Sequence, residues 1–125
     1  MTRLFCYGTL KRDQRAHRLL SKWEPTFIGE AKTHQRYHLY DQGCFPGMVV
    51  DEDQVGGVYG ELFDVCDSGM EAMDYYESVD SGLFRRENIE LEDGSTAIAY
   101  LVVKPIKNRR IKSGRWNDGQ TQENC

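Results

Sequence analysis

Four features of this 125-residue sequence carry side chains or backbone that could do chemistry. Cys6, in LFCYGTLK, is a thiol beside Tyr7. No histidine is locally tied to it, so a packed strand cysteine is the plainer reading. His34 and His38 stand four apart, a spacing that gathers a metal ion on a helix. Here they sit around the strand-like QRYHLYD without the glutamate of an H-E-x-x-H motif, so no metal site is expected. The step Gly8-Thr9-Leu10-Lys11 lacks the G-x-x-x-x-G-K-[ST] spacing of a phosphate loop. Glycine straight after an apolar run serves either a plain turn or a backbone that must approach something closely.

The fourth feature is Glu77, near the end of MEAMDYYESV. At 100° per residue it joins Met70 and Met73 at offsets 0, 3 and 7. A rival stripe of Ala72, Tyr75, Tyr76 and Val79 recurs at offsets 0, 3, 4 and 7 and turns Glu77 to water. Periodicity favours the rival. The pattern leaves a pocket-facing glutamate open without selecting it.

These groups need elements to position them. Residues 2 to 7 read as a buried strand. Ala16, Leu19, Leu20 and Trp23 mark one face of a helix, limited by Pro25. TFIGEAK and QRYHLYD are mixed strand patterns, and the latter is followed by the turn-forming GCFPG. VGGVYGELFDV alternates like a strand, with Gly56-Gly57 as a candidate bulge. Ser68 to Glu71 has the S-x-x-E form of a capping box and predicts a second helix to about Ser78. FRRENIELE and STAIAYLVV flank Asp93-Gly94, a strong hairpin signal. The order predicts an α+β fold: two helices and a mainly antiparallel sheet closed into a compact mixed barrel.

Composition narrows the classes of function. The length suits one domain that buries roughly two thirds of its unfolded surface. Residues 1 to 103 carry 10 basic against 18 acidic side chains, and residues 104 to 125 carry 6 against 2. Clustered phosphate contacts are foreign to an acidic body, so no nucleic acid is expected as a partner. The basic stretch KPIKNRRIKSGR reads as a solvated tail. No segment is long and apolar enough to span a bilayer or to form a signal peptide, so no membrane is expected. Four scattered cysteines without a C-x-x-C pair fit a reduced, cytoplasmic protein.

Taken together, the motifs spell a family. Tyr7-Gly8-Thr9-Leu10, Phe45-Pro46-Gly47 and Val58-Tyr59-Gly60-Glu61-Leu62-Phe63 come first. Asp74-Tyr75-Tyr76-Glu77, Phe84-Arg85-Arg86 and Ala97-Ile98-Ala99-Tyr100 follow in order. Across residues 3 to 103 the chain resembles the gamma-glutamylcyclotransferase-like family, particularly small members similar to gamma-glutamylamine cyclotransferase. Ile111 to Trp116 resembles a short tail motif of those members. The resemblance divides the chain into a catalytic-type domain, 1–103, and a basic C-terminal tail, 104–125.

The resemblance implies a cavity in which the loop Tyr7 to Leu10 grips a glutamyl end, with Arg86 and Tyr100 also binding substrate. It implies Glu77 as the single acid/base residue facing that cavity, against the periodicity. The activity implied is cyclisation of a gamma-glutamyl amine or amino acid to 5-oxoproline, with no metal and no organic cofactor. A small gamma-glutamyl substrate is the partner implied; no oligomeric state is. Two alternatives stand beside it: a binding or regulatory module on the same fold, and an interaction protein acting through its basic tail. The chain departs from the family pattern at Ser78, often Gly, at Phe84, often Tyr, and at Arg115, often an acid.

Overall fold

The computed structural model describes residues 1–117. Its elements in chain order are β1 (Thr2–Cys6), α1 (His17–Ser21), β2 (Thr26–Lys32), β3 (Tyr37–Asp41), β4 (Pro46–Val50), β5 (Tyr59–Val65), α2 (Asp67–Tyr76), β6 (Phe84–Glu90) and β7 (Thr96–Val102). The α+β order expected from the sequence is present, with the last eight residues of the expected basic tail outside the described range.

All seven strands join one mixed sheet, in the order β2-β5-β1-β7-β4-β3, with β6 also pairing β7. The pairings β1–β5, β2–β5, β3–β4 and β6–β7 are antiparallel, whereas β7 meets β1 and β4 in parallel. The expected barrel is not fully closed. The segments after β2 and β6 approach through an isolated bridge, Thr33 to Leu91, flanked by bonds from His34 N–H to Glu90 O and from Glu92 N–H to Lys32 O. The hairpin forms as Asp93-Gly94 predicts: Gly94 adopts φ +88°, and Asp93 Oδ1 accepts from Ser95 N–H.

β1 shows how the strand period sorts side chains. Leu4 and Cys6 enter one buried cluster with Leu20, Phe63, Val65, Met70 and Met73, beneath the helices. Phe5 and Tyr7 enter the other, with Leu39, Met48, Ile89, Leu101 and Trp116. Successive residues of a strand point to opposite faces, so β1 serves both cores at once.

Two local expectations change. The bulge lies in β2, between Phe27 and Gly29, and Gly56-Gly57 instead bond Gln35 O and Tyr37 O from a loop. The N-cap of α2 is Cys66, whose sulfur accepts from Gly69 N–H at 3.4 Å, so Ser68 lies within the first turn. β5 runs almost directly into α2, which leaves no room for the cap two residues later. Among the described residues, Cys6 and Cys66 are free thiols.

Residues 109 to 117 lie across the sheet as a strap. Asp41 N–H donates to Arg109 O, Ile111 N–H to Leu39 O and Tyr59 N–H to Gly114 O. Trp116 is only 4% exposed. Among the described residues no helix is long and apolar enough to cross a membrane.

Candidate active site

The loop after β1 is held from several sides. Lys11 N–H donates to Gly8 O and Ala16 N–H to Thr9 O, folding residues 8 to 16 back on themselves. Glu61 of β5, 7% exposed, accepts from Arg12 N–H at 2.7 Å and from Arg12 Nε at 3.1 Å. Lys11 Nζ donates to Trp116 O at 2.7 Å, tying the loop to the strap. A Cβ on Gly8 would stand 2.7 Å from Pro46 Cγ. Glycine is therefore needed here for close approach to the rigid Pro46 ring, so the backbone that must approach something closely approaches Pro46. No described residue accepts a hydrogen bond from the N–H of Gly8, Thr9 or Leu10. Backbone N–H groups without a partner inside the protein are available to an oxygen anion.

The other wall is the end of α2. Glu77 is its C-cap, and Ser78 turns left-handed at φ +56°. Ser78 N–H donates to Tyr75 O and Val79 N–H to Asp74 O, the paired bonds of a Schellman ending. Val79 then packs on the core cluster. The helix is thus stopped where Glu77 reaches inward. Met70 and Met73 are its buried large side chains, while Tyr75 is 89% exposed. The methionine stripe is fully buried in the core, whereas the stripe that periodicity favoured is split: Ala72 and Val79 pack partly buried against it and Tyr75 stands in water.

Loop and helix end enclose a cavity of about 190 Å³, lined by Tyr7, Gly8, Thr9, Leu10, Glu77 and Tyr100 among others. Thr9 Oγ1 and Tyr76 Oη lie 3.1 Å apart and join the two walls. Burial pushes the Glu77 carboxyl up to about 8. No hydrogen bond or ion pair to that carboxyl is formed among the described residues, so nothing offsets its desolvation. The same enclosure raises Cys6, with the charges of Glu77 and Glu61 adding to it, and raises Tyr7. A thiol so raised stays protonated and is a poor nucleophile.

Not every predicted residue reaches the cavity with a polar group. Tyr7 Oη donates to Tyr100 O and accepts from Met48 N–H, so it fastens β1 to β7 and β4. Tyr100 Oη donates to Asp74 Oδ1 at 2.6 Å. Arg86 lies outside the lining set; its Nε is bonded to the same Asp74 oxygen at 2.6 Å. Arg15, Phe45, Pro46, Leu83 and Phe84 do line it and were not proposed as site residues. Phe45, Pro46 and Phe84 belonged to quoted motifs, whereas Arg15 sits in a polar run with no distinguishing signal.

The class defined here is an α+β protein with a lone, desolvated carboxyl facing an amide-bearing loop across a small cavity. The family model "Gamma-glutamyl cyclotransferase, AIG2-like" matches residues 4–118, and the chain belongs to that family. A Vibrio cholerae protein provisionally named gamma-glutamylcyclotransferase is 32% identical over 114 residues, covering 90% of this chain and 93% of that protein. A crystal structure from Pyrococcus horikoshii, of an uncharacterised protein, superposes with TM-score 0.75 at 25% identity, over 92% of this chain and 89% of that one. A mouse AIG2-like protein has the same fold, with TM-score 0.71 at 24% identity over 85% of this chain and 80% of its own.

Proposed function

We propose that the protein cyclises the gamma-glutamyl group of a gamma-glutamyl amine or amino acid, releasing 5-oxoproline and the amine, with Glu77 as its acid/base residue. The observation that carries this is the Glu77 carboxyl, without a hydrogen-bond partner among the described residues and pushed up to about 8, in a cavity lined by Gly8, Thr9 and Leu10.

In this reading the three amides hold the α-carboxylate of the glutamyl end. Both reacting groups belong to one molecule, so the cavity mainly has to fold it onto itself. Ionised Glu77 takes a proton from the α-ammonium, and the freed nitrogen attacks the γ-carbonyl carbon. A C–N bond forms, the original amide C–N bond breaks, and the five-membered ring closes. One ammonium proton stays on the ring nitrogen. Two pass through Glu77, in turn, to the leaving nitrogen, which departs as an ammonium and leaves Glu77 ionised again. A carboxyl near neutral pKa suits both halves of that exchange.

The test is incubation with a panel of gamma-glutamyl amines and amino acids, with 5-oxoproline and free amine measured together. Stoichiometric release of both from at least one compound is expected. No release from any member of the panel overturns the proposal.

A further inference from the structure

A second group of ligating side chains lies away from the Glu77 cavity. His38 of β3, Asp51 and Asp53 bring one nitrogen and two carboxylate oxygens within 4.8 Å of one another. None of the three lines that cavity. His34, the partner that spacing offered, is engaged otherwise: its Nδ1 accepts from Arg36 N–H at 3.2 Å. The His38 side chain is fully buried, and neither of its ring nitrogens forms a hydrogen bond. Asp53 Oδ1 stands only 2.7 Å from Nε2, yet off the line along which an N–H would point. Two ligands of one ion stand this way, since bonds of about 2.1 Å set neighbouring ligand atoms roughly 3 Å apart. The loop 51–58 is built onto the ring. Asp51 N–H donates to Arg36 O, Gly56 N–H to Gln35 O and Gly57 N–H to Tyr37 O. A Cβ on Gly56 would stand 2.5 Å from His38 Cδ2, so the loop closes directly over the imidazole.

We propose that His38, Asp51 and Asp53 hold a divalent transition-metal cation of the zinc type, with water completing its shell, and that the ion clasps the loop 51–58 onto β3. One imidazole nitrogen beside two carboxylate oxygens suits zinc, whereas magnesium and calcium take oxygen ligands. Two carboxylates and a neutral imidazole also match the charge of a divalent ion. Among the described residues, no lysine or arginine pairs with Asp51 or Asp53 to compete for that charge. The ion gives the buried ring the partner that the protein does not, and buried polar groups are rarely left without one. Asp53 is 46% exposed at its side chain, which leaves an entry path from solvent. The site does not depend on the proposed cyclisation.

The test is calorimetric titration of the full chain, first stripped with a chelator, with zinc chloride and in parallel with cobalt(II) chloride. One zinc per chain is expected, with a melting temperature that rises with zinc concentration. Bound cobalt should show visible d–d bands without the near-ultraviolet bands of a thiolate ligand. Asp51→Asn and Asp53→Asn combined should weaken zinc binding by more than about 100-fold, since each lost ligand outweighs an outer-shell partner, worth about 10–100-fold. Asparagine keeps an acceptor for Val55 N–H, which Asp53 Oδ1 receives at 3.2 Å, so the double variant is expected to fold. Its melting curve without zinc checks this, and the wild-type stoichiometry and cobalt spectrum decide the matter if it does not. No zinc binding by the wild type, unchanged binding by the folded double variant, or a single bound cobalt with thiolate bands overturns the proposal. His38 and Asp53 are then an ion pair only.

Discussion

Glu77 costs the folded protein something when it ionises. Unfolded, it would lose its proton near the ordinary 4.5; folded, it keeps it to about 8. Between those values the native state binds more protons than the unfolded one, so this group makes stability fall as pH rises through the window. Glu77→Gln has no such slope. Its stability should match wild type near pH 4 and exceed it increasingly toward pH 8, by on the order of a few kcal/mol. Turnover of the same variant should fall ~10²–10⁴-fold, the range for losing a general acid or base. Rate and melting curves across pH 4 to 9 check both, and an active Glu77→Gln enzyme would remove the acid/base assignment. Glu71→Gln is the control on the exposed side of α2 and should keep full activity. The location of Glu77 was not legible from period alone. Large amphipathic tyrosines imitate a core stripe, and Tyr75 nonetheless stands in water. The ordered motifs of the family implied a cavity-facing Glu77, and it lines the cavity, because they carry the helix ending, which the period over ten residues does not.

At the scale of elements, the site depends on how a strand and a helix stop. Ser78 occupies a left-handed position, φ +56°, which an L side chain adopts at a cost of roughly 1 kcal/mol. Ser78→Gly should raise stability by about 0.5–1 kcal/mol, less the added flexibility of the unfolded chain, as urea denaturation would show. The family's common glycine at that place thus has a conformational reason here. Gly8 answers to a different constraint. Gly8→Val would drive its side chain into Pro46, and overpacking a rigid ring costs about 1–3 kcal/mol. The variant should melt lower and bind 5-oxoproline more weakly. Normal stability together with normal affinity would show that the loop tolerates a side chain. The LFCYGTLK pattern made the loop visible. Its contact with Pro46 was not, because residues 8 and 46 meet only after β4 has joined the sheet.

Across the whole molecule, local pairings were readable and distant ones were not. The Asp93-Gly94 hairpin carries its own turn chemistry in adjacent residues. The parallel contacts of β7 with β1 and β4 join segments far apart in sequence, with no turn to announce them. The extent of closure was therefore open, and the sheet stops short of the barrel expected. The strap was equally hidden, since its positive charges resemble a solvated tail while Ile111 N–H bonds Leu39 O and Trp116 is buried. Trp116→Ala should cost about 3–5 kcal/mol, the usual loss for a buried large aromatic. A change in melting temperature of less than a degree would mean the indole contributes nothing to the core.

The bond from Lys11 to the Trp116 carbonyl joins segments 105 residues apart in sequence. Synthesis runs from the N-terminal side, so the ribosome delivers the glycine loop and Glu77 well before the segment that braces the loop. A nascent chain halted after residue 108 would carry the proposed acid/base glutamate and the loop with that tether missing. Prematurely terminated products should therefore be inactive even where most of the sheet has formed. Delivery of the strap and completion of the cavity become a single event.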